Sequence, residues 1–168
     1  MGVKHKTIKN DFPKMKKQIE ELDGQGVEVG VIRGEHAWLA PIHEYGLNIL
    51  VTPKMRAYLH RQGLHLKAST THIKIPERSF LRTGYDENRK YVCRNAGLLL
   101  ADVVGGTMTA DECCELVGSD LVERIKDYAE DLKNPANHPF TVENKNSSNP
   151  LIDSGQMIGQ GLHWRKAK

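Results

Sequence analysis

The sequence predicts an α+β fold: a small antiparallel sheet packed by helices, with a long loop before a C-terminal strand. Three observations lead there. "VEVGVI" (27–32) puts Val27, Val29 and Val31 on one face at a period of two, as in a half-buried strand. Two later stretches repeat apolar residues at helical spacing. The order of elements is helix, strand, helix, insertion, two helices, loop, strand, which keeps the short strands apart from the long helices.

Each element has a local reason. Asp11 can cap a first helix, with Pro13 in its first turn, and Phe12, Met15, Ile19 and Leu22 form its apolar stripe. "DGQG" (23–26) stops it. After the Val-rich strand, a short helix is expected through "HAWLAPIHEY" (36–45), with Gly46 as its left-handed end. Thr52 and Pro53 read as N-cap and first residue of an inserted helix, "PKMRAYLHRQ" (53–62), closed by Gly63. "LHLKA" (64–68) and "THIKI" (71–75) are expected as strands around it, with Pro76 ending the second. Val92, Ala96, Leu99 and Val103 form the stripe of a long helix closed by Gly105-Gly106. The next helix opens on a capping box, Thr109 and Glu112, and buries Cys113, Val117, Leu121, Ile125, Ala129 and Leu132. "KNPANHP" (133–139) ends it, because Pro135 and Pro139 cannot continue a helix. Residues 134–155 are expected as an extended loop that orders on docking, and "GLHWR" (161–165) as a last strand. All 168 residues are read as one domain, with an insertion at 47–74.

Composition narrows the function classes. Charged residues are 27% and hydrophobic ones 39%, as in ordinary globular chains. No apolar run approaches the roughly 20 residues of a membrane span. The start, "MGVKHKTIKN", is basic but leads into no apolar segment, so it is not a secretory signal. Gly2 invites a myristoylation reading, but Lys6 stands where Ser or Thr is needed. Cys93, Cys113 and Cys114 form no CxxC, which argues against a disulfide framework or zinc site and for synthesis in a reducing cytoplasm. Residues 1–84 hold 14 Lys/Arg against 8 Asp/Glu, a net of +6, and the remainder a net of −3. Such polarity suits head-to-tail contact between copies, or a basic face turned to an anion. Lys4, Lys6, Lys9, Lys14, Lys16 and Lys17 cluster near the start and could contact DNA without sequence preference.

Catalytic patterns are weak. His43-Glu44 resembles half of a metal-dependent hydrolase site, but position 47, where the second His belongs, is Leu. His36, seven residues earlier, is separated from His43 by Pro41. "GQGVEVG" is neither a dinucleotide fingerprint nor a P-loop. Asp153-Ser154-Gly155 matches the aspartic-protease tripeptide, but the chain holds no second copy. No cofactor, metal or catalytic residue is assigned.

Three stretches, in order, carry a resemblance: "VEVGV…APIHEYG" (27–46), "IPERSFLR" (75–82) and "FTVENKNSSNPLIDSGQM" (140–157). Together they resemble the tail-completion, or head–tail joining, proteins of tailed bacteriophages. Ser79 stands where that family usually has Pro, and Ser154 where it has Thr. The resemblance implies a non-enzymatic virion protein, made in the host bacterial cytoplasm, that forms a ring at the neck or upper end of the tail. Six-fold symmetry is the expectation and twelve-fold the alternative. Its partners would be copies of itself, neck, connector and tail proteins, and DNA in the channel, with no membrane. The competing classes are a small metal-dependent hydrolase using His43 and Glu44, and a DNA-binding accessory protein.

The residues expected to carry assembly are Glu44, Gly46, Pro76, Arg78, Phe80, Leu81, Arg82, Leu151, Ile152, Asp153 and Gly155. Glu44 lies at the C-terminal end of a short helix, where the macrodipole disfavours an anion. It is expected to take Arg78 or Arg82 as a cationic partner, with Phe80 and Leu81 as apolar anchors. Leu151 and Ile152 point to opposite sides of an extended chain, one into this subunit and the other toward a neighbour. Asp153 to Gly155 form a turn.

Overall fold

The computed structural model describes residues 10–35, 37–145 and 147–167. Along the chain run α1 (Phe12–Leu22), β1 (Val27–Val31), α2 (Leu39–Tyr45), β2 (Leu47–Leu50), α3 (Pro53–Arg61) and β3 (His72–Ile75). Then come α4 (Phe80–Gly105), α5 (Ala110–Asp131), α6 (Pro139–Lys145), a π-helical turn (Gln156–Gln160) and β4 (Leu162–Lys166). The fold is α+β; the described residues are 56% helical and 12% strand, and among them are two antiparallel sheets of two strands each. β1 pairs with β4, and β2 with β3.

The chain divides into two compact units. Unit 1 comprises Met1–Val29, Asn88–Leu121 and Trp164–Lys168; unit 2 comprises Gly30–Glu87 and Val122–His163.

In unit 1 the capping box forms as its spacing predicts. The Thr109 N–H donates to Glu112 Oε2 (2.8 Å) and the Glu112 N–H to Thr109 Oγ1 (3.2 Å). The Thr109 N–H, and then the Thr109 hydroxyl (2.8 Å), donate to the ionised Glu112 carboxyl and hold it below its ordinary pKa. Val92, Val103, Ala110, Cys113, Cys114 and Leu121 are buried. α1 forms, but only half of its apolar stripe turns inward: Met15 and Leu22 are half-buried. Phe12 is 62% exposed and Ile19 44%, while Gln18 is buried. With its carboxamide nitrogen turned inward, Gln18 reaches the carbonyls of Val103 (2.8 Å) and Met108 (3.2 Å). Asp11 makes no side-chain cap, and Asn10 Oδ1 accepts from the Phe12 N–H instead (3.2 Å).

In unit 2, Thr52 caps α3 by accepting from the Met55 N–H (3.2 Å). β3 is the expected strand, but "LHLKA" is not its partner. The Arg56 guanidinium donates to the carbonyls of Leu66 (3.2 Å), Lys67 (2.9 Å) and Thr70 (2.6 Å). That fan of bonds folds 64–70 into a loop and uses carbonyls a strand would offer to a neighbour. β3 pairs instead with β2, in the register Leu47↔Ile75, Asn48↔Lys74, Ile49↔Ile73 and Leu50↔His72. Gly46 makes this return close. Its φ is +72°, and a Cβ there would lie 2.9 Å from both the Ile75 oxygen and the Glu77 nitrogen.

Within the expected extended loop at 134–155, one short helix forms, α6, and the other described residues of the segment are neither helix nor strand. Pro139 does not only exclude continuation of α5; it opens α6 at the position where its missing N–H costs nothing. Beyond α6, Leu151, Met157 and Ile158 are buried in the core with Ala40, Phe80, Ile125, Ala129 and Leu162. These side chains pack within the chain itself.

Candidate functional site

The three stretches that carry the family resemblance supply a set of charged side chains in unit 2 that bind backbone. Its centre is a reciprocal arrangement of two helix ends. The Glu44 carboxylate accepts from the N–H groups of Leu81 (2.9 Å) and Arg82 (3.0 Å), the second and third residues of α4. It also accepts from Ser79 Oγ (3.0 Å) and Arg82 Nε (2.9 Å). In return, the Arg78 N–H donates to the His43 carbonyl (2.7 Å), and Arg82 Nη2 to the Glu44 carbonyl (3.0 Å). The last turn of α2 and the first turn of α4 therefore satisfy each other's orphan groups.

Glu44 thus has a second reason to sit here. The C-terminal end of α2 disfavours its charge, but the N-terminal end of α4 favours it and presents donors to it. Glu44 is 3% exposed. Arg82 also pairs with Glu77 (2.6 Å), and its guanidinium lies 4.7 Å from the centre of the Tyr45 ring. The bonds to Glu44, then to Glu77, raise the Arg82 pKa.

Of the two arginines expected to meet Glu44, Arg82 does so and Arg78 does not. Arg78 is buried and donates to the carbonyls of Pro135 (2.8 Å) and Ala136 (3.2 Å) and to Asn137 Oδ1 (3.0 Å). Burial lowers its pKa. The cause of the split is where α4 begins: Arg82 is inside the helix and follows the N–H groups that Glu44 caps, whereas Arg78 precedes it.

Two residues the sequence reading did not single out complete the set. Lys145, at the end of α6, donates to the carbonyls of Asn149 (2.6 Å) and Ile152 (2.8 Å). Asn149 Oδ1 accepts from the N–H groups of Leu151 (2.7 Å) and Ile152 (3.0 Å). Its Nδ2 donates to the carbonyls of Ala129 (3.1 Å) and Glu130 (2.8 Å), near the end of α5. The legible signal was Asn before Pro, an Asx-turn pattern.

Phe80 is fully buried and anchors the start of α4, with Leu81 half-buried beside it. Pro76 follows β3. Leu151 is buried in its own chain and Ile152 half-buried, so Leu151 does not face a neighbour. Asp153 and Ser154 are exposed, and Gly155 has a φ of +76° at the entry to the π-helical turn.

A cleft of about 230 Å³ lies beside this network, lined by His43, Asn137, Lys145, Leu151 and Asp153 among others. Burial, then the charges of Arg78 and Lys145, lower the His43 pKa to about 4. His43 Nδ1 and Asn137 Nδ2 are buried and have no hydrogen-bond partner among the described residues. Lys145 is itself lowered, first by burial. Among the described residues no group of three or more His, Cys, Asp and Glu side chains is placed to hold a metal ion. Among them, too, no helix is long and apolar enough to cross a membrane. Gly2, Lys4, Lys6, Lys9 and His36 lie outside the described residues. No family model, curated protein or solved structure matches this chain.

Proposed function

We propose that this chain is a structural virion protein of a tailed bacteriophage that forms a ring at the neck or upper end of the tail and completes the tail for joining to the head. The observation that carries the reading is the convergence of its three resembling stretches. Glu44 of the first caps the helix that the second begins, and Lys145 and Asn149 of the third fold that stretch onto the end of α5. Such side chains maintain a shape. The alternative hydrolase reading needs Glu44 as a base, yet its oxygens already take four hydrogen bonds.

Self-association has its own support. In unit 1, Val92, Leu98, Leu99, Leu116 and Val117 line an open apolar groove of about 280 Å³. Leu98 is 63% exposed and Leu116 47%. Contiguous exposed apolar surface marks interaction sites. The partners under this reading are other copies of the chain, with neck, connector and tail proteins above and below. Deletion of the gene from its phage is the test. Separate heads and unfinished tails are expected; complete, infectious particles would overturn the proposal.

A further inference from the structure

Between Tyr45 and Pro76 the chain contains no Asp or Glu, yet it holds Lys54, Arg56, Arg61, Lys67 and Lys74. The whole chain is +3, so this excursion carries +5 and the remainder −2. The excursion is β2, α3, β3 and the loop between the last two, all within unit 2.

Among the described residues the side chains of four of these five cations make no hydrogen bond or ion pair. Arg56 holds the 64–70 loop through three carbonyls. Lys54, Arg61, Lys67 and Lys74 are exposed, and among the described residues none of them forms an ion pair. Their placement is ordered. Lys54, Tyr58 and Arg61 are spaced by four and three residues, so they share one face of α3. Met55 and Leu59, half-buried, occupy the other side. On the ribbon, cross-strand partners point to the same face, which groups Lys74 and His72 with Asn48 and Leu50. All four are exposed.

We propose that the β2–α3–β3 excursion is a nucleic-acid-binding module that grips the phosphate backbone without reading sequence, through Lys54, Arg61, Lys67 and Lys74, with Tyr58 between the first two. Ammonium and guanidinium groups are the side chains suited to phosphate oxygens. Cations set along a helix face and a ribbon match a linear polyanion. Tyr58, 54% exposed, offers a ring for an unpaired base or a hydroxyl for a phosphate. The assignment stands on the excursion alone and not on the neck reading. A binding assay on the purified chain also fails or succeeds independently of virion assembly.

The test is fluorescence anisotropy of the full chain with labelled duplex and single-stranded oligonucleotides of scrambled sequence. Salt is varied from about 50 to 200 mM, and unlabelled polyglutamate serves as competitor. Binding independent of sequence is expected, with log K falling against log salt at a slope of about −3.6 for four duplex phosphate contacts. The variant Lys54→Glu/Arg61→Glu/Lys74→Glu should lose at least about tenfold in affinity and flatten that slope by about 2.7. The milder Lys54→Gln/Arg61→Gln should fall between it and the wild type. Lys14→Glu/Lys16→Glu/Lys17→Glu, in α1, should keep the wild-type affinity and slope. Tyr58→Ala should weaken single-strand binding more than duplex binding. An unchanged slope in the triple lobe variant would overturn the proposal. So would a wild-type chain that binds polyglutamate but neither oligonucleotide, which would assign the lobe to an acidic protein.

Discussion

Two cation-rich regions of unit 2 treat their charges in opposite ways. Around α2 and α4, Arg78 is buried and Lys145 half-buried, each bonded to main-chain carbonyls, while Arg82 binds the buried Glu44. In the β2–α3–β3 excursion, Lys54, Arg61, Lys67 and Lys74 are exposed, without a carboxylate partner among the described residues. The difference separates two uses of the same residue types. A buried cation that satisfies carbonyls holds the fold, and its loss strands those acceptors. An exposed cation adds little to stability and remains available to a ligand.

The largest effect should come from the segment that the sequence reading placed at an interface. Leu151 is buried in its own chain, so Leu151→Asp puts an unpaired charge in the core and should cost about 5 kcal/mol or prevent folding. Urea denaturation reads it directly. A folded, fully stable variant would return Leu151 to a surface role.

Glu44→Ala comes next. It removes the acceptor of two N–H groups in the first turn of α4 and of the Ser79 hydroxyl, and leaves Arg82 only Glu77 and the main-chain carbonyl at 44. A loss of about 3–5 kcal/mol is expected, with Glu44→Gln retaining part of it. Equal stability of Glu44→Ala and wild type would break the capping account.

Burial of His43, and then the charges of Arg78 and Lys145, also set a pH dependence. His43 is held neutral down to a pKa of about 4, against 6.5 in the unfolded chain. The unfolded state therefore binds the proton first as pH falls. Stability from this group is complete above pH 6.5 and declines toward pH 4. Discounted for solvent screening of a partly exposed ring, the loss is about 2 kcal/mol. His43→Gln should flatten the stability profile across that window; an identical slope would contradict it.

What was legible in the sequence follows the range of the interactions. Thr52-Pro53 and Thr109 with Glu112 announce helix starts because a cap and its acceptor lie within one turn. The buried positions Cys113, Leu121, Ile125 and Ala129 follow from helical spacing alone. β2 was missed because "LNIL" is short and its partner is more than twenty residues away, behind a helix and a loop. The loop's shape depends on Arg56 choosing three carbonyls, which spacing does not reveal. The split between Arg78 and Arg82 was hidden for a related reason. The sequence offers two arginines to one carboxylate, and only the start of α4 at Phe80 decides between them. α1 shows pattern only half followed: Phe12 and Ile19 of its stripe are exposed and Met15 and Leu22 half-buried, while Gln18 is buried because it finds two main-chain carbonyls.

The central claim is that charge near the capped helix ends is structural and that the charges of Lys54, Arg61, Lys67 and Lys74 on the excursion are not. The urea midpoints of Arg78→Met and Lys54→Glu/Arg61→Glu, measured side by side with wild type, test it most directly. Arg78→Met strands the Pro135 and Ala136 carbonyls and Asn137, and should lose about 2–4 kcal/mol. The excursion variant should stay within about 0.5 kcal/mol of wild type. Equal losses in the two variants, or a larger loss in the excursion variant, would contradict the account.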